Sequence, residues 1–239
     1  MTDSSRDAVR LRPNALRAKY AIAFIWVVMA MEALSLFSSY LQLGLLNSFQ
    51  NGEAISEATA DANDIREALI GLLYLVSYII SAVTFIQWFR RAYFNLHLRV
   101  ANLSQPESWA ALGWFIPILS LFRPYQIMKE LYRETLALLA RKGVTLHFAP
   151  HTGLVGWWWA LWVINSVLGQ IVFRTSMSAA SVGEILFTTQ ADMVASAIGI
   201  PLGLITIRVI KNYADLEPLL ASMKEEDVPV TPATIELVG

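Results

Sequence analysis

The chain contains no cysteine, which excludes a disulfide framework, a thiolate nucleophile, a zinc-thiolate site and an iron-sulfur cluster. Charge is scarce too. Asp, Glu, Lys and Arg make up 15% of the 239 residues against 56% hydrophobic ones, and the mean hydropathy is +0.49. A soluble domain carries about a quarter charged residues, so this composition belongs to a chain that meets lipid. The formal net charge of -1 offers no basic surplus of the kind that draws proteins to nucleic acid. Histidines are few: His97, His147 and His151. The last two have the four-residue spacing of helical metal ligands, but Pro150 interrupts them in HFAPH and no metalloprotease glutamate accompanies them. There is no glycine-rich phosphate loop, no G-x-S-x-G elbow and no pair of intramembrane aspartates set up for proteolysis. The expectation is a protein that is not an enzyme, with no cofactor and no metal site.

What the sequence does have is long apolar runs. A helix needs about 20 apolar residues to cross roughly 30 Å of hydrocarbon, and four segments suffice: 20–46, 68–89, 154–173 and 193–210. A fifth, 109–122, is too short, is interrupted by Pro117 and ends at Arg123-Pro124, where proline disfavours helical geometry in the residue before it. Positive charge selects the topology. If 109–122 turns back, every Lys and Arg except Arg66 and Arg174 falls inside; if it crosses, they divide evenly. The positive-inside bias therefore favours four spans with both termini cytoplasmic and 109–122 as a re-entrant or interfacial segment. The first outer loop, with Glu53, Glu57, Asp61 and Asp64, agrees.

The expected architecture is all-α and polytopic. A basic tail (1–19) leads into one transmembrane bundle (20–211) and a mobile cytoplasmic tail (212–239). After the dip, 125–142 reads as an amphipathic helix with Met128, Leu131, Thr135, Leu138 and Leu139 on one face and Gly143 as its C-cap. The tryptophans Trp88, Trp109, Trp114 and Trp157 to Trp159 read as an interfacial belt.

Each span carries a polar or small face at three-and-four spacing, the mark of a surface turned toward other helices. These are Glu32, Ser35 and Ser39; Tyr74, Ser77, Ser81 and Thr84; Trp158, Trp162, Asn165 and Gly169; and Asp192, Ser196, Gly199, Gly203 and Thr206. Glu32 stands apart, because a carboxylate near the midplane is costly. No Lys or Arg lies at its depth, so the expected partners are Asn165, Gln170, Tyr78 or Ser81, making Glu32 either an ion or proton site or a polar clamp between helices.

Three stretches, FIQWFRRAYFNLHLR (85–99), GWFIPILSLFRPYQIMKELYRET (113–135) and GWWWALWVINSVLG (156–169), together resemble a family of bacterial integral membrane proteins known only as a domain of unknown function. Its most specific element is F-x-P-Y-Q, here Phe122, Pro124, Tyr125 and Gln126. The resemblance implies a protein of the bacterial cytoplasmic membrane and supplies no activity, cofactor or catalytic residue. In physical terms, non-helical backbone between Pro117 and Pro124 is tolerated at membrane depth only inside protein or beside water. Arg123, Pro124, Tyr125 and Gln126 would then either line a cytoplasmic mouth or dock the amphipathic helix. The expected partners are the bilayer and a second membrane protein or further copies of this chain. Two functions follow as expectations: a noncatalytic scaffold, sensor or regulatory subunit, and a small oligomeric channel or transporter built on Glu32 and the broken segment.

Overall fold

A computed structural model describes residues 11–146 and 152–221. Six α-helices make up the described chain: α1 (Ala15–Gln50), α2 (Glu57–His97), α3 (Trp109–Leu112), α4 (Arg123–Arg141), α5 (Gly153–Ser178) and α6 (Val182–Ala221), with one 3-10 turn at Leu119–Leu121. No strand occurs among the described residues. Four of the helices, α1, α2, α5 and α6, are long and apolar enough to cross a membrane. They outrun their apolar runs. At 1.5 Å per residue the 41 residues of α2 measure about 60 Å, twice the thickness of a hydrocarbon core. The acidic first loop is accordingly mostly helix, with only residues 51–56 between α1 and α2. The C-terminal tail expected from residue 212 begins instead with helix to Ala221, because Tyr213, Leu216, Glu217 and Leu220, spaced by three and four, all bury on one side. His147 and His151 lie outside the described residues.

Helix ends follow local chemistry. Ser56 accepts the Thr59 amide at 3.2 Å where α2 begins. At the start of α6, Glu184 receives the Ala180 and Ser181 amides (2.8 and 3.1 Å) while Ser181 receives the Glu184 amide (3.3 Å), a reciprocal capping box. Proline in the first turn starts α4. At its end Gly143 takes φ +69°, with Gly143 N–H on Ala140 and Val144 N–H on Leu139, a Schellman stop.

The chain forms two compact units, and α2 and α6 contribute to both. Of the described residues, one contains 17–85 and 153–210; the other contains 11–16, 86–146, 152 and 211–221. In the first, much of the apolar surface is exposed, as at Leu69, Leu72, Val83, Ile164 and Val167. Its contacts are selective: of the three consecutive tryptophans, Trp158 is buried with its ring 6.0 Å from that of Phe85, whereas Trp157 is exposed. Successive helical residues point about 100° apart, so the three rings leave one level of the helix in different directions.

The second unit has a dense core. Helix α4 buries Pro124, Ile127, Met128, Leu131, Tyr132, Thr135, Leu138 and Leu139. Its partners are the last turns of α2 and α6: Tyr132 meets Tyr213 edge-on at 5.6 Å, and Tyr213 meets Trp88 at 6.3 Å. Burial pushes the Tyr132 hydroxyl above the ordinary tyrosine range, and the Asp215 charge adds to the shift. Residues 109–122 belong to this unit as α3, turns and the 3-10 segment, with Ile118 at φ +65°. With ψ -54° and the Leu119 N–H on the Pro117 carbonyl at 2.7 Å, this is a γ-turn of positive φ, a conformation β-branched residues rarely adopt.

Candidate functional site

In the first unit the polar faces of α1, α2 and α6 meet. Tyr74 donates its hydroxyl to Glu32 Oε1 at 2.8 Å, and the Ser196 hydroxyl bonds the same carboxylate. One turn further along α1, Ser39 and Ser35 donate to Asp192 Oδ2 at 2.9 and 3.2 Å. Beyond them Gln42 donates to Thr189 at 3.0 Å. Glu32, Ser39 and Ser196 are each at most 4% exposed. The arrangement follows from period: Glu32, Ser35 and Ser39 lie on one stripe of α1, and Asp192 and Ser196 on one stripe of α6. Two acids, each hydrogen bonded by hydroxyls, thus occupy one polar seam, with electrostatic interaction between them.

The close approach depends on Gly199. A methyl group there would run into the Glu32 carboxylate, and one at Gly203 would run into Cγ and Sδ of Met29. Glycine is needed at Gly199 for proximity, not for an unusual backbone angle.

The residues expected around Glu32 are placed as follows. Tyr78 stacks on Tyr74, ring centroids 6.1 Å apart. Ser81 is buried, and its backbone carbonyl accepts the Thr84 hydroxyl. Gln170 is exposed. The buried Asn165 Oδ1 has no hydrogen-bond partner. Glu32 is instead bonded from Tyr74 and Ser196, both present in the polar faces read from the sequence but not singled out. Side-chain period identifies a face, whereas the pairing of faces depends on helix depth and rotation, which period does not encode.

The second unit contains buried carboxylates that sequence reasoning missed. Glu217, 7% exposed, lies 3.2 and 3.0 Å from Asn14 Nδ2 through its two oxygens and accepts Asn95 Nδ2 at 2.6 Å. Asn95 also pairs with the backbone of Arg12, accepting its N–H at 3.0 Å and donating to its carbonyl at 2.9 Å. The Arg12 guanidinium lies 4.1 Å over the Phe94 ring. Residues 12–14 are thereby fastened to the ends of α2 and α6. Glu130 on α4 accepts Tyr93 (2.7 Å) and both the backbone N–H and hydroxyl of Ser104 (2.8 and 2.9 Å), which ties the 98–108 connection to α4. The only sequence signal for these sites was a lone acid in an otherwise apolar helical face.

The F-x-P-Y-Q stretch opens α4. Pro124 is buried, Tyr125 is half-buried, and Gln126 is exposed and accepts Arg123 Nη1 at 3.3 Å. The Arg123 guanidinium lies over the rings of Trp109 (5.5 Å) and Phe122 (5.7 Å). Gly113 lets the turn close on it, since a methyl group there would sit 2.8 Å from the Trp109 carbonyl and 3.2 Å from Arg123 Cγ. Among the described residues, no three His, Asp or Glu side chains gather as metal ligands would.

Residues 51–215 match the family described as Domain of unknown function (DUF4328). The chain belongs to this family. The matched region takes in α2 to α5 and most of α6, so the networks of Glu32, Glu217 and Glu130 all draw on family residues, while Glu32, Asn14 and Glu217 themselves lie outside it. No curated protein and no solved structure matches the chain.

Proposed function

We propose that this is a noncatalytic four-span protein of the bacterial cytoplasmic membrane, with both termini inside, acting as a scaffold, sensor or regulatory subunit for a membrane partner. The observation that carries the reading is the shared core of the second unit. The end of α2 contacts α4 through Tyr93 and Glu130, and the end of α6 through Trp88 and Tyr213, while residues 12–14 join the same network. Four crossings bring these ends to one side of a bilayer, and a crossing by 109–122 would separate them. The basic residues Arg90, Arg91, Arg99, Arg123, Lys129, Arg133, Arg141 and Lys142 fall in this unit, which supports its cytoplasmic placement. Its amphipathic helix α4 then serves as the platform of a rigid cytoplasmic cap, and 109–122 returns to the side it came from.

The Glu32 and Asp192 seam favours a second reading, an oligomeric channel or transporter, since paired intramembrane acids suit a proton or a small cation. The two are separated by flux. Reconstituted protein is expected to pass no more protons than empty vesicles, followed with a trapped pH-sensitive dye, and Glu32→Gln is expected to weaken folding or assembly. A proton flux that Glu32→Gln abolishes while the protein stays folded would replace the scaffold reading with transport.

A further inference from the structure

We propose that the turn at 112–122 is a lipid anchor: its apolar tip inserts among the acyl chains of the cytoplasmic leaflet, and Arg123 at its base binds phospholipid phosphate. The inference rests on the four-span reading above, which puts this turn on the cytoplasmic side.

Among the described residues of the second unit, strong apolar exposure concentrates in this turn. Apart from Leu16, beside the first span, the unit's exposed large apolar side chains are Leu112, Phe115, Ile116, Ile118, Leu121 and Phe122. Phe115 and Ile118 are 72% and 73% exposed. The other large apolar groups described in this unit are buried or half-buried, and a contiguous exposed patch of this kind marks an interaction surface. The turn's depth identifies the occupant as lipid. Phe89 closes the apolar run of α2, just before Arg90 and Arg91. Its ring packs edge-on against Trp114 at 6.3 Å, and Arg90 pairs with Glu107 at 2.9 Å. Both ends of the approach to the turn are therefore held where hydrocarbon gives way to headgroups, the level that tryptophan prefers. The fourteen residues 109–122, broken by Pro117 and the γ-turn at Ile118, are too few to cross but enough to wedge into one leaflet.

Arg123 supplies the polar half. Aromatic rings hold its guanidinium, whose Nε is buried without a hydrogen-bond partner, which leaves Nη1 and Nη2 as the outward donors, Nη1 lying 3.3 Å from Gln126 Oε1. The remaining donors form a planar fork suited to phosphate oxygens, at a position from which arginine can snorkel to the interface.

The full chain, with a spin label on Ile118→Cys or Phe115→Cys, would be reconstituted into phosphatidylglycerol vesicles containing no other protein. Each label is expected to collide more with oxygen than with a water-soluble nickel chelate, and a label on the exposed Lys129→Cys to show the reverse. Arg123→Glu should move the Ile118 label toward water, and Arg123→Lys should leave it in place. Labels at both 115 and 118 that prefer the nickel chelate overturn the anchor and leave a protein partner as the occupant. Unchanged depth in Arg123→Glu removes the phosphate contact. A deep label together with outside labelling of Gly143→Cys would instead reject the four-span reading.

Discussion

Glu217→Ala is expected to lower the stability of the purified protein by roughly 2–4 kcal/mol, since each buried donor left unpaired costs about 1–3 kcal/mol. The two donors are the side-chain amides of Asn14 and Asn95, which converge on the same carboxylate from residues 12–14 and from α2. Neither has another side-chain acceptor to turn to: Asn95 Nδ2 otherwise bonds the Arg12 carbonyl, and Asn14 Nδ2 the Trp88 carbonyl at 3.3 Å. The loss should thus fall on the link between the N-terminal segment and the ends of α2 and α6. Glu217→Gln keeps one acceptor oxygen and should lose less. Thermal unfolding in detergent, followed by tryptophan fluorescence, reads the difference. Wild-type melting of Glu217→Ala would mean that the carboxylate does not organise this core.

The second large effect is expected at Gly199. Alanine there drives its methyl into the Glu32 carboxylate, which the hydroxyls of Tyr74 and Ser196 hold in place. Either α1 and α6 separate or the polar seam breaks, and overpacking of this kind costs about 1–3 kcal/mol. Two other glycines calibrate the result. At Gly203 the methyl meets the Met29 thioether chain, which can swing aside, and touches Ile25 Cγ2 at an ordinary 3.6 Å. At Gly44 it meets nothing, and alanine gains helix propensity. The expected order of melting temperatures is Gly44→Ala highest, then Gly203→Ala, then Gly199→Ala. Equal melting of Gly199→Ala and Gly44→Ala would contradict the close approach of α1 and α6.

The all-helical class, the four long apolar helices and the shortness of 109–122 were legible in the sequence because bilayer thickness and proline geometry act locally. The stop of α4 at Gly143 was legible for the same reason, whereas its start lies two residues before the expected 125, at Arg123. The extent of α6 was not legible. Lys211, Asn212 and Asp215 resemble the start of a solvated tail, and only the packing of Tyr213 against Trp88 and Tyr132 explains why helix continues. The seam around Glu32 was half legible. The faces of α1 and α6 stood out by period, but Asn165 and Gln170, chosen for chemistry and depth, lie on a helix whose rotation the sequence does not fix. Glu217 and Glu130 were invisible as sites because their partners, Asn14, Asn95, Tyr93 and Ser104, lie far away along the chain.

The absence of native cysteine makes the central claim directly measurable. Single cysteines at Glu57 and Gly143, both exposed, would be labelled in intact cells with a membrane-impermeant maleimide, before and after permeabilisation. Four spans require Glu57→Cys to label in intact cells and Gly143→Cys only after permeabilisation. Labelling of Gly143→Cys from outside would mean that 109–122 crosses the membrane, contradicting the cytoplasmic cap and the anchor built on it.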